Sequence, residues 1–437
     1  MWNVCGQLWI VGAAVENPLF LSTSPVELIC LELQGFAPSF HIFFAYYLLL
    51  LKNILSSYCG REKRLEEPFM KFSCEKALLS AAVSVTSRAV AAKSSIPAME
   101  GILVEAGQAL RLTGYNLETG IQATVPAEIL EGGSLVLSAR LFGEIVRKLP
   151  DDVVVFSSQG YTVNIKCGLS EFNILGTDPE EFPELPAVDQ QNTLTIKQPV
   201  LRSMIAQTLF AVSDNESRPI HTGSLFEVDS AGLTVVSVDG YRLALRHEDV
   251  EEKKGADSFS FVVPGSALGE VEKICSGEEL VTVTQGARHV MFQTGDTVLV
   301  CRRLEGDFLA YRNAIPRNNS IQIEVEARAL LSSIDRVSLI ISEKLKSPLR
   351  CVFGDGMVNI TTKTAIGDAA DQCVINGNGG GLEIGFNNKY LMDALKAAPA
   401  DKLRMEFTSG VAPCVILPAE GEENFTYMVL PVRLKAN

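Results

Sequence analysis

The sequence predicts an α+β fold made of three tandem copies of one unit, each with two helices and several antiparallel strands. The first observation is a strand, a turn and an amphipathic helix that occur three times, at residues 135–150, 259–275 and 382–399. The second is the spacing of these copies, about 125 residues, which is a normal length for one domain. Such regular spacing indicates an internal repeat rather than a coincidence.

The remaining elements of each copy follow in the same order. Each copy opens on a segment with apolar residues at helical spacing, at residues 75–90, 198–212 and 326–341. A hairpin is predicted next, because apolar residues alternate with polar ones on both sides of a polar turn. These hairpins are residues 110–125, 233–248 and 358–375. We therefore expect domains at residues 70–190, 191–316 and 317–437, with residues 1–69 outside the pattern.

The charge distribution gives two opposing indications. The formal net charge of −14 argues by itself against a nucleic-acid-binding protein. The acidic residues, however, lie largely in predicted strands and loops, and the predicted helices carry basic ones. Such helix faces either carry charge simply to stay solvated or, when gathered around one axis, form a positive surface inside an acidic body. The basic residues are Lys76, Arg88, Arg140, Arg147, Lys148, Arg202, Lys273, Arg328, Arg336, Lys389 and Lys396.

The sequence contains no recognisable catalytic or metal-binding arrangement. The four histidines stand outside HExxH and nucleophile motifs, and the ten cysteines form no CxxC pair. The glycine run at residues 377–381 lacks the Lys-Ser/Thr of a phosphate-binding loop, and we predict an ordinary loop there. We expect no catalysis, no metal and no cofactor. A nucleotide-processing enzyme would require a motif that the sequence lacks.

Residues 1–69 lie outside the repeat and contain an apolar run at residues 40–51. This run is shorter than the roughly 20 residues that a membrane-spanning helix needs. Three interpretations compete: a membrane anchor, which would make the chain a tethered interaction protein; an additional docking segment; or an upstream start that is not used. The last is favoured because Met70 opens the first repeat, so no membrane association is expected.

Six segments carry a resemblance to a known family, in the family's order and at its spacing. They are MKFSCEKALL, SIPAMEGILVEA, SVDGYRLAL, EGDFLAYRNAIP, IGFNNKYLMDAL and the terminal YMVLPVRL. Over residues 70–434 the sequence resembles the bacterial sliding clamp, the beta subunit of DNA polymerase III. The internal repeat is visible without this resemblance.

The resemblance implies a homodimer of three-domain protomers that closes head to tail into a ring, with helices inside and antiparallel sheets outside. It implies a non-catalytic processivity factor that encircles double-stranded DNA in the cytoplasm and tethers the replicative polymerase. The clamp loader and other proteins with a clamp-binding motif are further implied partners. Contacts of Lys and Arg with phosphate do not depend on base sequence, which permits sliding.

A hydrophobic groove between the second and third domains, which takes a short peptide from a partner, is also implied. Apolar side chains would form its pocket, and Arg242, Asn387 and Arg433 would orient the peptide at the rim. The alternative is that residues such as Leu243 and Leu430 are simply core residues of strands. The groove residues carried over are His221, Val238, Gly240, Tyr241, Arg242, Leu243, Leu309, Asn313, Ala314, Leu345, Asn387, Tyr390, Val411, Met428, Leu430, Pro431, Val432, Arg433 and Leu434.

Two smaller sets of residues follow from the same resemblance. The DNA-binding residues are Lys93, Arg140 and Arg218. The dimer-interface residues are Phe172 and Ile174 on an edge strand, and Leu339 and Ile340 near the end of a helix.

A few positions depart from the family pattern. His221 stands where an apolar wall residue is common, and Asn313 where some relatives carry a basic residue. Pro219 and Ile220 replace aromatic residues on the DNA side, which weakens any stacking on bases. Because His221 and Asn313 belong to the implied groove, we expect the preferred partner motif to differ from that of other family members.

Overall fold

The computed structural model describes residues 69–342, 347–421 and 424–434, which include the first two predicted repeats and most of the third. The interpretations of the N-terminal segment concern residues outside this part of the chain, apart from residue 69. Leu345 of the predicted groove also lies outside the described residues. No helix among the described residues is both long and apolar enough to cross a membrane.

Repeat 1 has the predicted order of elements. They are β1 (Phe69–Glu75), α1 (Lys76–Thr86), β2 (Gly101–Ala106), β3 (Leu110–Tyr115), β4 (Thr119–Val125), β5 (Glu128–Glu131), β6 (Gly133–Ser138), α2 (Ala139–Lys148), β7 (Val153–Gln159), β8 (Thr162–Cys167) and β9 (Ser170–Leu175). The amphipathic helix α2 buries Phe142 and Ile145 and ends on Arg147 and Lys148. These two cations stabilise the helix because they oppose the negative end of its dipole.

Repeat 2 follows the same plan, and a linker with one short helix leads out of it. Its elements are β10 (Asn192–Lys197), α3 (Gln198–Thr208), β11 (Gly223–Asp229), β12 (Gly232–Val238), β13 (Arg242–Glu248), β14 (Glu252–Lys254), β15 (Phe259–Pro264), α4 (Gly265–Ile274), β16 (Leu280–Gln285), β17 (His289–Thr294) and β18 (Thr297–Arg302), followed by α5 (Tyr311–Ala314) in the linker. Pro199 lies in the first turn of α3, where a missing N–H costs no helical hydrogen bond.

Repeat 3 differs by its long central hairpin. Its elements are β19 (Ile321–Glu326), α6 (Ala327–Ser338), β20 (Leu349–Thr364), β21 (Gly367–Phe386), α7 (Asn388–Ala397), β22 (Lys402–Phe407), β23 (Cys414–Pro418) and β24 (Asn424–Val429). The loop predicted at residues 377–381 is wrong, because β21 continues through it. A Cβ on Gly379 would lie 2.3 Å from the Cβ of Phe353, and Gly380 has a φ of 62°. The glycines thus allow a bulged strand to pass close to β20.

The sheets continue from one repeat into the next. Strand β4 of repeat 1 pairs with β18 of repeat 2, which creates a nine-stranded sheet in the order β14-β10-β16-β17-β18-β4-β3-β2-β6. Strand β13 of repeat 2 pairs with β24 of repeat 3 in a ten-stranded sheet, in the order β15-β11-β12-β13-β24-β23-β22-β19-β21-β20. The remaining sheet has the order β5-β1-β7-β8-β9 and leaves β9 at an edge, as the resemblance implies for Phe172 and Ile174.

The two long helices of each repeat pack together on its sheets. The pairs are α1 with α2, α3 with α4, and α6 with α7. A separate hydrophobic core lies beneath each pair, containing Phe142, Leu268 and Leu391 respectively. All seven cysteines among the described residues are buried and form no disulfide, so they pack as small core residues.

Candidate functional site

The junction of repeats 2 and 3 gathers most of the residues predicted for the groove. Pairing of β13 with β24 places Leu243 opposite Met428. Beyond β24, the Leu430 N–H donates to the carbonyl of Tyr241 at 2.8 Å, and the Val432 N–H donates to the carbonyl of Gly385 at 2.8 Å. The C-terminal tail is therefore held between the start of β13 and the end of β21.

Gly385 is required for this course of the tail. A Cβ at this position would lie 2.5 Å from the Val432 carbonyl oxygen and 2.8 Å from Cδ2 of Leu434. Gly410 similarly lies against the carbonyl of Glu383, which brings the neighbouring Val411 close to the same end of β21. Val411 is 84% exposed.

A hydrophobic cluster lies inside the junction. Val238 and Leu243 are buried. Both therefore pack as core residues of their strands, which was the alternative to a direct role in the groove. They lie beneath the surface, where a bound peptide would reach them only through their neighbours. The cluster formed around Leu243 contains Leu225, Val236, Val262, Tyr311 and Met428, with Ile220, Leu245, Leu304, Phe308, Ala314, Ile315 and Leu430 packed against it.

Two tyrosines form the most exposed aromatic surface of the junction. Tyr241 is 60% exposed and stacks on Tyr390 with a centroid distance of 5.8 Å. Gly240 precedes it with a φ of 90°, a conformation that favours glycine in the turn between β12 and β13. Tyr241, Tyr390 and Val432 line an open cleft of about 930 Å³. An aromatic, partly apolar cleft of this kind fits the anchor side chains of a short peptide.

Arg242 does not stand at the rim, which corrects the role expected for it. Its side chain is buried, with Nε 2.9 Å from Oδ2 of Asp239 and Nη1 2.6 Å from Oδ2 of Asp393 on α7. The guanidinium lies 4.6 Å from the ring centre of Tyr390 and 5.5 Å from that of Phe210. The carboxylates pair with the charge of the guanidinium, and the aromatic rings pack against its plane. Arg242 therefore joins the two repeats beneath the cleft.

The other two rim residues differ from each other. The side-chain oxygen of Asn387 accepts hydrogen bonds from the N–H groups of Lys389 and Tyr390, so it caps α7. Arg433 is exposed and remains available to a ligand. The sequence reasoning missed Asp239, Asp393 and Phe210; Asp393 lies one turn after Tyr390, so helical periodicity could have indicated it.

His221 lies on the linker side of the junction. Its ring packs edge-on against Phe308 at 5.7 Å between centroids. Burial lowers the pKa of His221 below its ordinary value of 6.5, and the charge of Arg218 lowers the pKa further. The neutral ring is therefore the form that this wall favours.

We expect acid to destabilise the folded chain through His221. Since the pKa is lower in the folded chain than in the unfolded chain, the unfolded chain takes up the proton first as the pH falls below 6.5. The contribution of His221 to the free energy of unfolding is therefore complete above pH 6.5 and declines below it. An NMR titration of the ring should give a midpoint under 6.5, and His221→Leu should reduce the acid dependence of unfolding. A midpoint at or above 6.5 would contradict this expectation.

The predicted DNA-binding residues are accessible. Lys93, Arg140 and Arg218 are exposed, and Arg140 makes a long ion pair with Glu144 at 3.4 Å. Several of the helical basic residues instead have carboxylate partners within 4.0 Å: Lys76, Arg88, Lys273, Arg328 and Arg336. The other basic residues on the helices are exposed and make no ion pair with any described residue. They are Arg147, Lys148, Arg202, Lys389 and Lys396. A role in DNA binding stays a prediction for each of them.

The predicted interface residues lie at two free surfaces. Phe172 is 37% exposed on the edge strand β9. Leu339 follows α6 directly and is 82% exposed. Both surfaces carry apolar side chains that water would contact in an isolated chain.

Three family models match consecutive parts of the chain. They describe the N-terminal domain of the DNA polymerase III beta subunit at residues 70–186, its central domain at residues 195–309 and its C-terminal domain at residues 312–433. The chain belongs to the DNA polymerase III beta-subunit family. The α+β class of three tandem units predicted from the repeat, and the clamp domain that the resemblance implies for each unit, are confirmed.

Individual relatives agree with this assignment. The beta sliding clamp of Staphylococcus aureus is 33% identical over 380 residues, which cover 83% of this chain and 99% of the relative. A DNA polymerase sliding clamp of Bacillus subtilis has a TM-score of 0.79 and 31% identity, covering 84% of this chain and all of that chain. A sliding clamp of Pseudomonas aeruginosa bound to griselimycin has a TM-score of 0.79 and 25% identity, covering 84% of this chain and all of that chain.

This beta-subunit chain is therefore a non-catalytic processivity factor, a sliding clamp of DNA replication, and its partners are DNA and clamp-binding proteins. The prediction that it lacks catalytic activity is confirmed by the family. Within the described residues, no three His, Cys, Asp or Glu side chains are grouped as a metal site would require.

Proposed function

We propose that two copies of the chain close head to tail into a ring, through β9 of one copy and residues 367–374 of β21 in the other. The support comes from the two junctions inside the chain. In each, the last strand of one repeat pairs with the second strand of the central hairpin of the preceding repeat: β18 with β4, and β24 with β13. Among the described strands, β9 and residues 367–374 are the equivalents that have no such partner.

The internal junctions also supply a register for this contact. Cys301 lies opposite Thr119 in one junction, and Val429 lies opposite Arg242 in the other. Counting from the corresponding hairpin turns places Ile174 opposite Gly367, and Phe172 opposite Ala369, across the two copies. The exposed Leu339 and the neighbouring Ile340 are next to this edge, since Arg336 of α6 contacts Asp371 of β21 at 2.5 Å. Burial of these apolar side chains favours closure.

Partner peptides bind in the groove where the C-terminal tail crosses from β13 to β21. The replicative polymerase and the clamp loader are the principal partners. The exposed stack of Tyr241 and Tyr390 receives apolar anchors, and Arg433 orients the peptide. Arg242 supports this site from beneath rather than binding the peptide.

Duplex DNA passes along the helices. The exposed unpaired cations of α2, α3 and α7, together with Lys93, Arg140 and Arg218, attract phosphates without contacting bases. Pro219 and Ile220 provide no aromatic stacking beside Arg218. The repeats act as domains 70–190, 191–316 and 317–437, and the protein works in the cytoplasm, on the chromosome.

Topological retention on DNA is the direct test of the ring. Labelled protein is loaded with a clamp loader and ATP onto nicked circular DNA, and the circle is then cut with a restriction enzyme. We expect retention on circles and rapid loss from free ends, because phosphate contacts alone exchange quickly. Equal retention on both forms would mean that direct affinity holds the protein, and the ring would be refuted.

A further inference from the structure

The linker between repeats 2 and 3 carries Leu309, Asn313 and Ala314 of the proposed groove. It passes between two open cavities. One, of about 790 Å³, is lined by the linker, β11 and β15, and another, of about 410 Å³, is lined by the linker, β12 and β13. Tyr311 and Arg312 line both cavities. Because open space flanks the linker here, its position depends on few anchors.

The strongest of these anchors is Glu227 on β11. The Tyr311 hydroxyl donates a hydrogen bond to Oε2 of Glu227, and Nη2 of Arg312 lies 2.8 Å from the same oxygen. The Arg312 guanidinium also lies 4.7 Å from the centre of the Tyr311 ring. One carboxylate thus holds two consecutive linker residues against repeat 2 through charge-assisted hydrogen bonds.

Tyr311 transmits this anchor to the groove. It is 2% exposed and belongs to the same hydrophobic cluster as Leu243 and Met428. Burial raises the pKa of its hydroxyl well above the ordinary value, and the hydrogen bond to Glu227 raises it further, so the hydroxyl stays a donor. Leu309 precedes Tyr311 by two residues, and its carbonyl accepts from the Tyr311 N–H at 2.7 Å. A shift of Tyr311 would therefore shift the groove wall.

We propose that Glu227 and Tyr311 are positioning residues of the partner groove, which hold the linker wall in the arrangement that accepts a peptide. This inference rests on the proposed function of the groove. Neither residue needs to touch the peptide. Loss of their hydrogen bond leaves the sheets unchanged and lets the wall move into the cavities beside it.

The test measures binding of the replicative polymerase of the same bacterium to the full chain and to three variants. Tyr311→Phe removes only the hydroxyl, and Glu227→Gln removes only the charge. We expect each to bind roughly fivefold to twentyfold more weakly, as for the loss of a hydrogen bond to a charged group. Glu305→Gln is the matched control, because this exposed linker carboxylate has no bond partner among the described residues, and it should bind like the unaltered chain.

Two further readouts distinguish positioning from general destabilisation. The double variant should bind no more weakly than Glu227→Gln alone, because the hydrogen bond that Tyr311→Phe removes is the one that Glu227→Gln already weakens. Hydrogen exchange should increase at residues 304–314 and stay unchanged in β13 and β24. Additive losses, or faster exchange in those strands, would overturn the inference.

The outcomes also separate this inference from the function on which it rests. If the unaltered chain binds the polymerase and both variants bind as tightly as Glu305→Gln, the positioning role is wrong and the groove stands. If the unaltered chain does not bind, the proposed groove fails, and the positioning role fails with it.

Discussion

Replacing Phe172 with aspartate is expected to convert the proposed dimer into monomers. The side chain lies on the free edge of β9 and would be opposite Ala369 of the second copy, so the new carboxylate would be buried without a partner. We expect the dimer dissociation constant to rise about a hundredfold or more, as at the centre of other interfaces. Analytical ultracentrifugation at low concentration measures this change, and retention on circular DNA should be lost with it.

The opposite edge of the same sheet provides the control. Leu130→Asp introduces the same charge on β5, where the side chain is already exposed, and should leave the dimer intact. Ile340→Asp tests the other side of the interface and should reproduce the effect of Phe172→Asp. An unchanged sedimentation coefficient for both Phe172→Asp and Ile340→Asp would refute closure through these surfaces.

Replacing Arg242 with methionine is expected to produce the largest loss of stability among the groove residues. The change keeps much of the apolar stem but leaves Asp239 and Asp393 without their shared cation beneath the cleft. Breaking a buried ion pair in this way costs about 3–5 kcal/mol. Urea unfolding should show the loss, and hydrogen exchange should locate it in β13, β24 and α7, with weaker polymerase binding as a consequence.

Arg202→Met is the matched control for this change. Arg202 lies exposed on α3 and makes no ion pair among the described residues, so its replacement should alter stability by no more than about 0.5 kcal/mol. Adding Asp239→Asn and Asp393→Asn to Arg242→Met should restore part of the stability, because the uncompensated charges disappear. Equal stability of Arg242→Met and Arg202→Met would show that the ion pairs contribute little.

The helices and hairpins could be predicted because their signals are local. In α2, Phe142 and Ile145 recur at helical spacing on the buried face, and this pattern depends on neighbours within two turns. The glycine run at residues 377–381 was misassigned for the complementary reason. Whether glycines make a loop or a bulged strand depends on the close approach of Phe353, more than twenty residues away in sequence.

The candidate groove could be located from the sequence but not resolved into roles. Leu243 and Tyr241 are both plausible anchor residues by type, yet the first is buried and the second is 60% exposed. From the sequence, Arg242 is a plausible cation at the rim. Its ion pair with Asp393, which belongs to another repeat, is visible only in the structure. Among the described helix cations, Lys76, Arg88 and Arg336 likewise could not be separated from the free ones, because their carboxylate partners lie on other elements.

The amino-acid sequence by itself determined the threefold repeat, the α+β class, the order of elements and the family, since periodicity and short segments carry this information. The tertiary structure alone decided which apolar residues are core, which cations are neutralised and which strand edges remain open. The physical reason is that burial and ion pairing arise between residues far apart in the chain. Residues 242 and 393, for example, meet only because β13 and β24 join two repeats in one sheet.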